Sequence, residues 1–110
     1  MSARAYAALG LALASLVLAG AVPAGGGAGE VIRVTIGDLT FSPASVTAKP
    51  GDTIEWVNGD FIDHTATDAA AHFDIAMAPG ETQRVKLQEP GIITYICRYH
   101  PNMTGRIEVK

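Results

Sequence analysis

Residues 91–109 read Gly91-Ile92-Ile93-Thr94-Tyr95-Ile96-Cys97-Arg98-Tyr99-His100-Pro101-Asn102-Met103-Thr104-Gly105-Arg106-Ile107-Glu108-Val109. Ile92–Cys97 is rich in β-branched and aromatic side chains and predicts a strand. In Gly105–Val109 the apolar Ile107 and Val109 alternate with the charged Arg106 and Glu108, which predicts a second strand with one buried face. Between them lies one tight loop holding Cys97, His100 and Met103. Working backwards, turn signals recur at Ser42-Pro43, Lys49-Pro50-Gly51-Asp52, Asn58-Gly59-Asp60, Pro79-Gly80 and Glu89-Pro90-Gly91. The stretches between them predict further strands at about Val31–Ile36, Ser45–Ala48, Thr53–Val57 and Thr82–Leu87. In the last of these Gln83, Val85 and Leu87 mark one buried face. Beyond the N-terminal segment no stretch carries a long 3.6-residue period; Ala69-Ala70-Ala71 allows at most one helical turn. The pattern is all-β, an antiparallel sandwich or barrel.

The whole chain of 110 residues is 48% hydrophobic and 17% charged, with eight Lys plus Arg, eleven Asp plus Glu and a net charge of −3. Much of the apolar excess sits before Glu30. There Arg4 is the only charge, Ala5–Ala21 is almost wholly apolar, and Ala19-Gly20-Ala21 and Val22-Pro23-Ala24 each fit a signal-peptidase site. We read residues 1–24 as a signal peptide, 25–30 as a glycine-rich flexible leader, and 31–110 as one domain exported to the periplasm. After cleavage no membrane span is expected. The basic residues are scattered, which excludes a phosphate-backbone partner, and no phosphate-binding glycine motif occurs. The single cysteine excludes an internal disulfide. A small exported domain with a lone thiol calls for another support, and a metal supplies one.

Cys97, His100 and Met103 are metal-capable, and His64, 33 residues before Cys97 in the loop after the Trp56 strand, offers a second imidazole. Two His and one Cys with a weak axial Met describe a type 1 copper site. Thiolate and imidazole suit both Cu(I) and Cu(II), and a loop braced by two strands holds them with little rearrangement on electron transfer. Met is a poor zinc ligand, which sets structural zinc aside. The alternative function is copper delivery or storage, but two methionines beyond residue 30 and three His in all are few for that role. A catalytic second copper centre needs more His than the one left over, His72, so no enzyme activity is expected.

Cys97, His100, Pro101 and Met103, together with Gly51-Asp52-Thr53-Ile54-Glu55-Trp56-Val57-Asn58 and a His eight residues after Trp56, carry a family likeness. Residues 31–110 resemble the small blue copper proteins, cupredoxins of the plastocyanin and amicyanin group, and amicyanin most nearly. The resemblance implies a Greek-key β-sandwich of about eight strands, one type 1 copper, and a monomeric electron carrier. Its partners would be redox proteins, a donor dehydrogenase or a cytochrome c. It also implies an electron port at the exposed edge of His100. Two departures stand out. Thr65 replaces the Asn that usually follows the first His and bonds across to the Cys loop; a hydroxyl does part of that work. Asp63 replaces a common Pro and brings a carboxylate that would raise the basicity of His64 or alter the surface charge.

Of the other residues, Trp56 and Tyr95 are expected in the core, Tyr95 beneath the site. His72 is expected exposed in a variable loop, Met77 at the surface or a rim, and Arg98 pointing outward, either to steer an acidic partner or simply to be solvated. Phe61 fits either loop packing or an apolar patch beside His100.

Overall fold

The computed structural model describes residues 29–70 and 72–110; the expected signal peptide and most of the glycine leader lie outside them. Among the described residues nine strands form: β1 Val31–Gly37, β2 Thr40–Ser42, β3 Ser45–Ala48, β4 Thr53–Asn58, β5 His64–Asp68, β6 Asp74–Met77, β7 Thr82–Lys86, β8 Gly91–Cys97 and β9 His100–Val109. Among the described residues no helix forms that is long and apolar enough to cross a membrane.

The strands make two sheets, ordered β2-β1-β4-β7 and β3-β9-β8-β5-β6. The sandwich is therefore all-β as expected, with nine strands where about eight were expected. It is also mixed where antiparallel pairing was expected: β1 runs parallel to β4 and β3 parallel to β9. Three strands lie where the sequence suggested loops. β2 has only three residues. β5, His-Thr-Ala-Thr-Asp, is buried on both faces except at Thr67, so it shows no alternation to read. β6 has four residues in the segment taken as a variable loop.

The core lies between the sheets. Val34, Ile36, Ile54 and Trp56 face inward from one, and Ala66, Tyr95, Cys97, Met103 and Ile107 from the other. Trp56 and Tyr95 meet edge to face across the interface, centroids 5.5 Å apart, and Phe41 also packs edge to face on Tyr95, at 4.7 Å. Such tilted aromatic pairs add to the area they bury. On the outer face of the first sheet Arg33, Glu55 and Arg84 lie in register across β1, β4 and β7. Both guanidinium groups bond the nearly buried Glu55 carboxylate at 2.8 Å. The Arg84 bond first, and Arg33 next, hold Glu55 below the usual carboxylate range. In β7, an edge strand, Gln83 is exposed and Val85 only half-buried, so the predicted buried face is realised chiefly at Leu87.

The pairing explains where the site forms. β5 runs antiparallel to β8, and β8 to β9. The start of β5, the end of β8 and the start of β9 therefore fall at one end of the same sheet.

Candidate metal centre

That end of the sheet brings His64, Cys97 and His100 together. One ligand atom of each lies within 4.8 Å of the others. The Nδ1 atoms of His64 and His100 stand 3.7 and 3.6 Å from Cys97 Sγ. His64 opens strand β5 rather than sitting in a loop as expected, and this fixes its backbone by pairing with β6. Cys97 and His100 face each other as the last pair of the β8–β9 ladder, across the two-residue turn Arg98-Tyr99. A register shift between Ile96 and Cys97 re-aims the cysteine at the hairpin tip, the usual work of a β-bulge beside a site. His64 and Cys97 are fully buried and His100 half-buried. Met103 follows on β9 and is also buried, 3% exposed.

The donor set fits a copper ion of the type the sequence called for: two imidazole nitrogens converging on one sulfur, dry on all but the His100 side. The thiol itself is prepared for it. Burial alone would push the Cys97 thiol up. Contact with the His64 ring, the Thr65 N–H, the His100 ring and the Tyr99 N–H outweighs burial and brings it from 9.0 down to about 6. The Thr65 N–H lies 3.4 Å from the sulfur.

Asp60 was not singled out by the sequence reading. Its Oδ2 accepts from His64 Nε2 at 2.7 Å. That bond fixes the tautomer and leaves Nδ1 as the free ligand atom, the arrangement metal-binding histidines generally need. The same carboxylate accepts the N–H groups of Asp38, at 2.7 Å, and Leu39, at 3.1 Å. These two residues form the β1–β2 turn with φ of 57° and 59°, a left-handed pair that normally calls for Asn or Gly. The Leu39 N–H first, with Asp38 and His64 adding to it against burial, holds the Asp60 carboxyl below its ordinary range. Asn58, fully buried, braces this loop: its Nδ2 donates to Ile62 O and Met77 O, and its Oδ1 accepts from Asp60 N. The signal was present as a carboxylate four residues before His64 inside the Asn58-Gly59-Asp60 turn. Asp63, expected either to act on His64 or to alter the surface charge, is exposed and so adds to the surface charge; the carboxylate on His64 is that of Asp60, which the turn points inward.

Thr65 does bridge to the cysteine turn: its Oγ1 accepts from Arg98 N at 2.8 Å. Arg98 points outward but is paired rather than simply solvated, its Nε donating to Asp74 at 3.0 Å. Met77 is buried, not at a rim, because β6 places it directly opposite His64. His72 is on the surface and paired with Asp68, away from the cluster. Phe61 is 96% exposed, so it is not loop packing; with Leu39, Ile62 and Tyr99 it belongs to the exposed large apolar side chains.

Comparison with known proteins agrees with the site. Residues 29–110 match the copper binding proteins of the plastocyanin/azurin family. A plastocyanin from Scenedesmus fuscus is 34% identical, the match covering 67% of this chain and 90% of that protein. The match spans only 61% of the length of two chloroplastic plastocyanins. Amicyanin-alpha from Methylorubrum extorquens is 29% identical, over 71% of each chain. A reduced amicyanin variant superposes with a TM-score of 0.68 and 24% identity, covering 73% of this chain and 82% of its own. A copper-containing nitrite reductase from Thermus scotoductus superposes with a TM-score of 0.67 and 28% identity, but only 22% of that chain is covered.

Proposed function

This chain belongs to the plastocyanin/azurin family of copper-binding proteins, and from that premise we propose that it is an electron carrier whose type 1 copper is held by His64, Cys97, His100 and Met103. The observation that carries the reading is the convergence of two Nδ1 atoms on one buried sulfur, at 3.6 and 3.7 Å. Copper bound there supplies a one-electron Cu(II)/Cu(I) couple. The protein's own residues do the rest. Asp60 locks the His64 ring, the hairpin turn sets the spacing of Cys97 to His100, and the Thr65 N–H stabilises the thiolate. Met103, buried on β9, would offer its thioether as a further, weak ligand that helps set the potential. Tyr95, Phe41 and Trp56 pack rigidly beneath, so the donors keep one frame in both oxidation states.

Electrons enter and leave at His100, because His64 and Cys97 have no exposed surface and Met103 almost none. The exposed Phe61, Leu39, Ile62 and Tyr99 supply apolar surface for a transient redox partner such as a dehydrogenase or a cytochrome c. The protein acts as a monomer, transforms no substrate, and works in the periplasm after loss of residues 1–24. Copper delivery fits less well, since a partner taking the ion would have to reach donors that are buried. The likeness to a nitrite reductase extends to one fold unit of that larger protein, and its catalysis is not carried over.

The test is an absorption spectrum with one equivalent of Cu(II), followed by voltammetry. An intense blue thiolate-to-copper band, absent in Cys97→Ala, and a reversible one-electron wave are expected. Met103→Leu should keep the colour and move the potential. A colourless product, or steady consumption of nitrite or oxygen, would overturn the reading.

A further inference from the structure

Thr65 holds the cysteine turn at two points. Its N–H donates to Cys97 Sγ at 3.4 Å, and its Oγ1 accepts from the N–H of the next residue, Arg98, at 2.8 Å. Thr67 lies two residues on, so its side chain shares the face of β5 that carries Thr65. The two hydroxyl oxygens are 2.9 Å apart. Thr67 Oγ1 is also 2.8 Å from Asp74 Oδ1, its cross-strand partner on β6. The same Oδ1 accepts from Arg98 Nε at 3.0 Å.

A proton count settles the direction. A threonine hydroxyl has one proton to give, and an ionised carboxylate has none. The hydrogen bond from Thr67 first, and that from Arg98 next, hold the Asp74 carboxyl below its ordinary range, so it is ionised at neutral pH. Thr67 therefore spends its proton on Asp74, the charge-assisted and stronger bond. The 2.9 Å gap between the hydroxyls is then spanned by the proton of Thr65. Thr65 has one proton given and one accepted, and it cannot rotate without losing both bonds. The result is a closed ring: Arg98 N–H to Thr65, Thr65 to Thr67, Thr67 to Asp74, with the Arg98 guanidinium returning to the same carboxylate.

We propose that Thr67, Asp74 and the Arg98 side chain are positioning residues for the metal centre, forming with Thr65 a ring that locks the turn after Cys97 onto the strand that begins with His64. None of the three belongs to the donor set, and the exposed Arg98–Asp74 pair contributes little as a surface ion pair. Its value is geometric. The ring fixes where the Thr65 amide sits relative to the sulfur. An N–H aimed at the sulfur draws charge from it and favours the reduced metal, whose added electron weakens the thiolate bond. Breaking the ring lets the amide drift from the sulfur, so the oxidised form gains. This rests on the copper reading above.

The test uses Thr67→Val, Thr67→Ser and Asp74→Ala, with Thr47→Val on exposed β3 as a control. In the copper-loaded protein, Thr67→Val and Asp74→Ala should each lower the Cu(I)/Cu(II) ratio at a fixed buffer potential by about threefold, a part of one hydrogen bond's worth. Converted at 59 mV per tenfold for one electron, that is a fall of about 28 mV. Thr67→Ser, which keeps the hydroxyl, should match the unaltered protein, as should Thr47→Val. In the metal-free protein, amide exchange at Arg98 should quicken about tenfold in Thr67→Val, the loss of roughly one hydrogen bond, and not in Thr67→Ser. Unchanged potential, colour and Arg98 exchange in both Thr67→Val and Asp74→Ala would overturn the ring. An unaltered protein that never turns blue would overturn the copper reading instead, while the Arg98 exchange would still decide the ring. If Thr67→Val does not fold, Asp74→Ala at an exposed site carries the same comparison.

Discussion

Replacing Gly105 by Ala should be among the most damaging single-methyl changes in this domain. Gly105 pairs directly with Tyr95 across β8 and β9, and the Tyr95 ring lies folded over it. A Cβ at 105 would sit 2.5 Å from Tyr95 Cε1 and nearer still to Cζ and the hydroxyl oxygen. Carbon atoms rest at about 3.5–4.0 Å, so the ring must retreat by about an ångström. It has little room to move: Tyr95 is 1% exposed and packs against Phe41, Trp56 and Phe73. Over-packing of this kind costs about 1–3 kcal/mol, and the lack of any give places it at about 3. For a domain of this size each kcal/mol moves the melting temperature by about 4–8 °C. Calorimetry of the metal-free protein should therefore show a fall of roughly 10–25 °C. The cause is checked by a double-mutant cycle. Tyr95→Val destabilises on its own, but Gly105→Ala added to it should cost almost nothing further, because the obstructing ring is gone. A fall below about 4 °C, or the same fall in both backgrounds, would refute the steric argument.

Asp60→Ala removes the partner of His64 Nε2 and the clamp on the Asp38-Leu39 turn together. Copper affinity, measured by competition with a chelator, should drop about 10–100-fold; adding Leu39→Gly should recover stability, since glycine accepts φ of 59°, without recovering affinity. The Cys97 thiol ionises at about 6 in the folded metal-free protein against 9.0 ordinarily, so folding favours the deprotonated form. The stabilisation is full above 9 and is lost as pH falls through 6. Urea midpoints of the metal-free protein should rise from pH 6 to pH 9, and Cys97→Ser should flatten that rise; an equal slope in both would count against the thiolate as its source.

Much of this was legible in the residues. The strands with a clean alternation or a β-branched run, β1, β3, β4, β7, β8 and the second half of β9, lie where the pattern put them. Cys97, His100 and His64 could be picked out because so few metal-capable side chains compete with them. What escaped did so for physical reasons. β5 is covered on both faces, and its Thr and Asp residues imitate a loop. β9 begins five residues before Gly105, because the ladder closes right up to the Cys97–His100 pair. Asp60 is read as a turn residue, since only the bend at Asn58 reveals that its carboxylate turns back onto His64. The role of Thr67 and Asp74 exists only in the β5–β6 register, which no spacing in the sequence encodes.

The β8–β9 hairpin has a consequence in time as well as in space. Cys97, His100 and Met103 sit within seven residues of one hairpin, an element that closes in about 1–10 μs. His64 arrives only when β5 docks on β8, a pairing such as Thr67 with Ile96 that joins distant parts of the chain. Such long-range closure is the slow event in β-rich folding. During refolding the hairpin thus gathers two sulfurs and one nitrogen before His64 joins them. That early trio is richer in soft donors than the finished set, because the second imidazole is the last donor to be added.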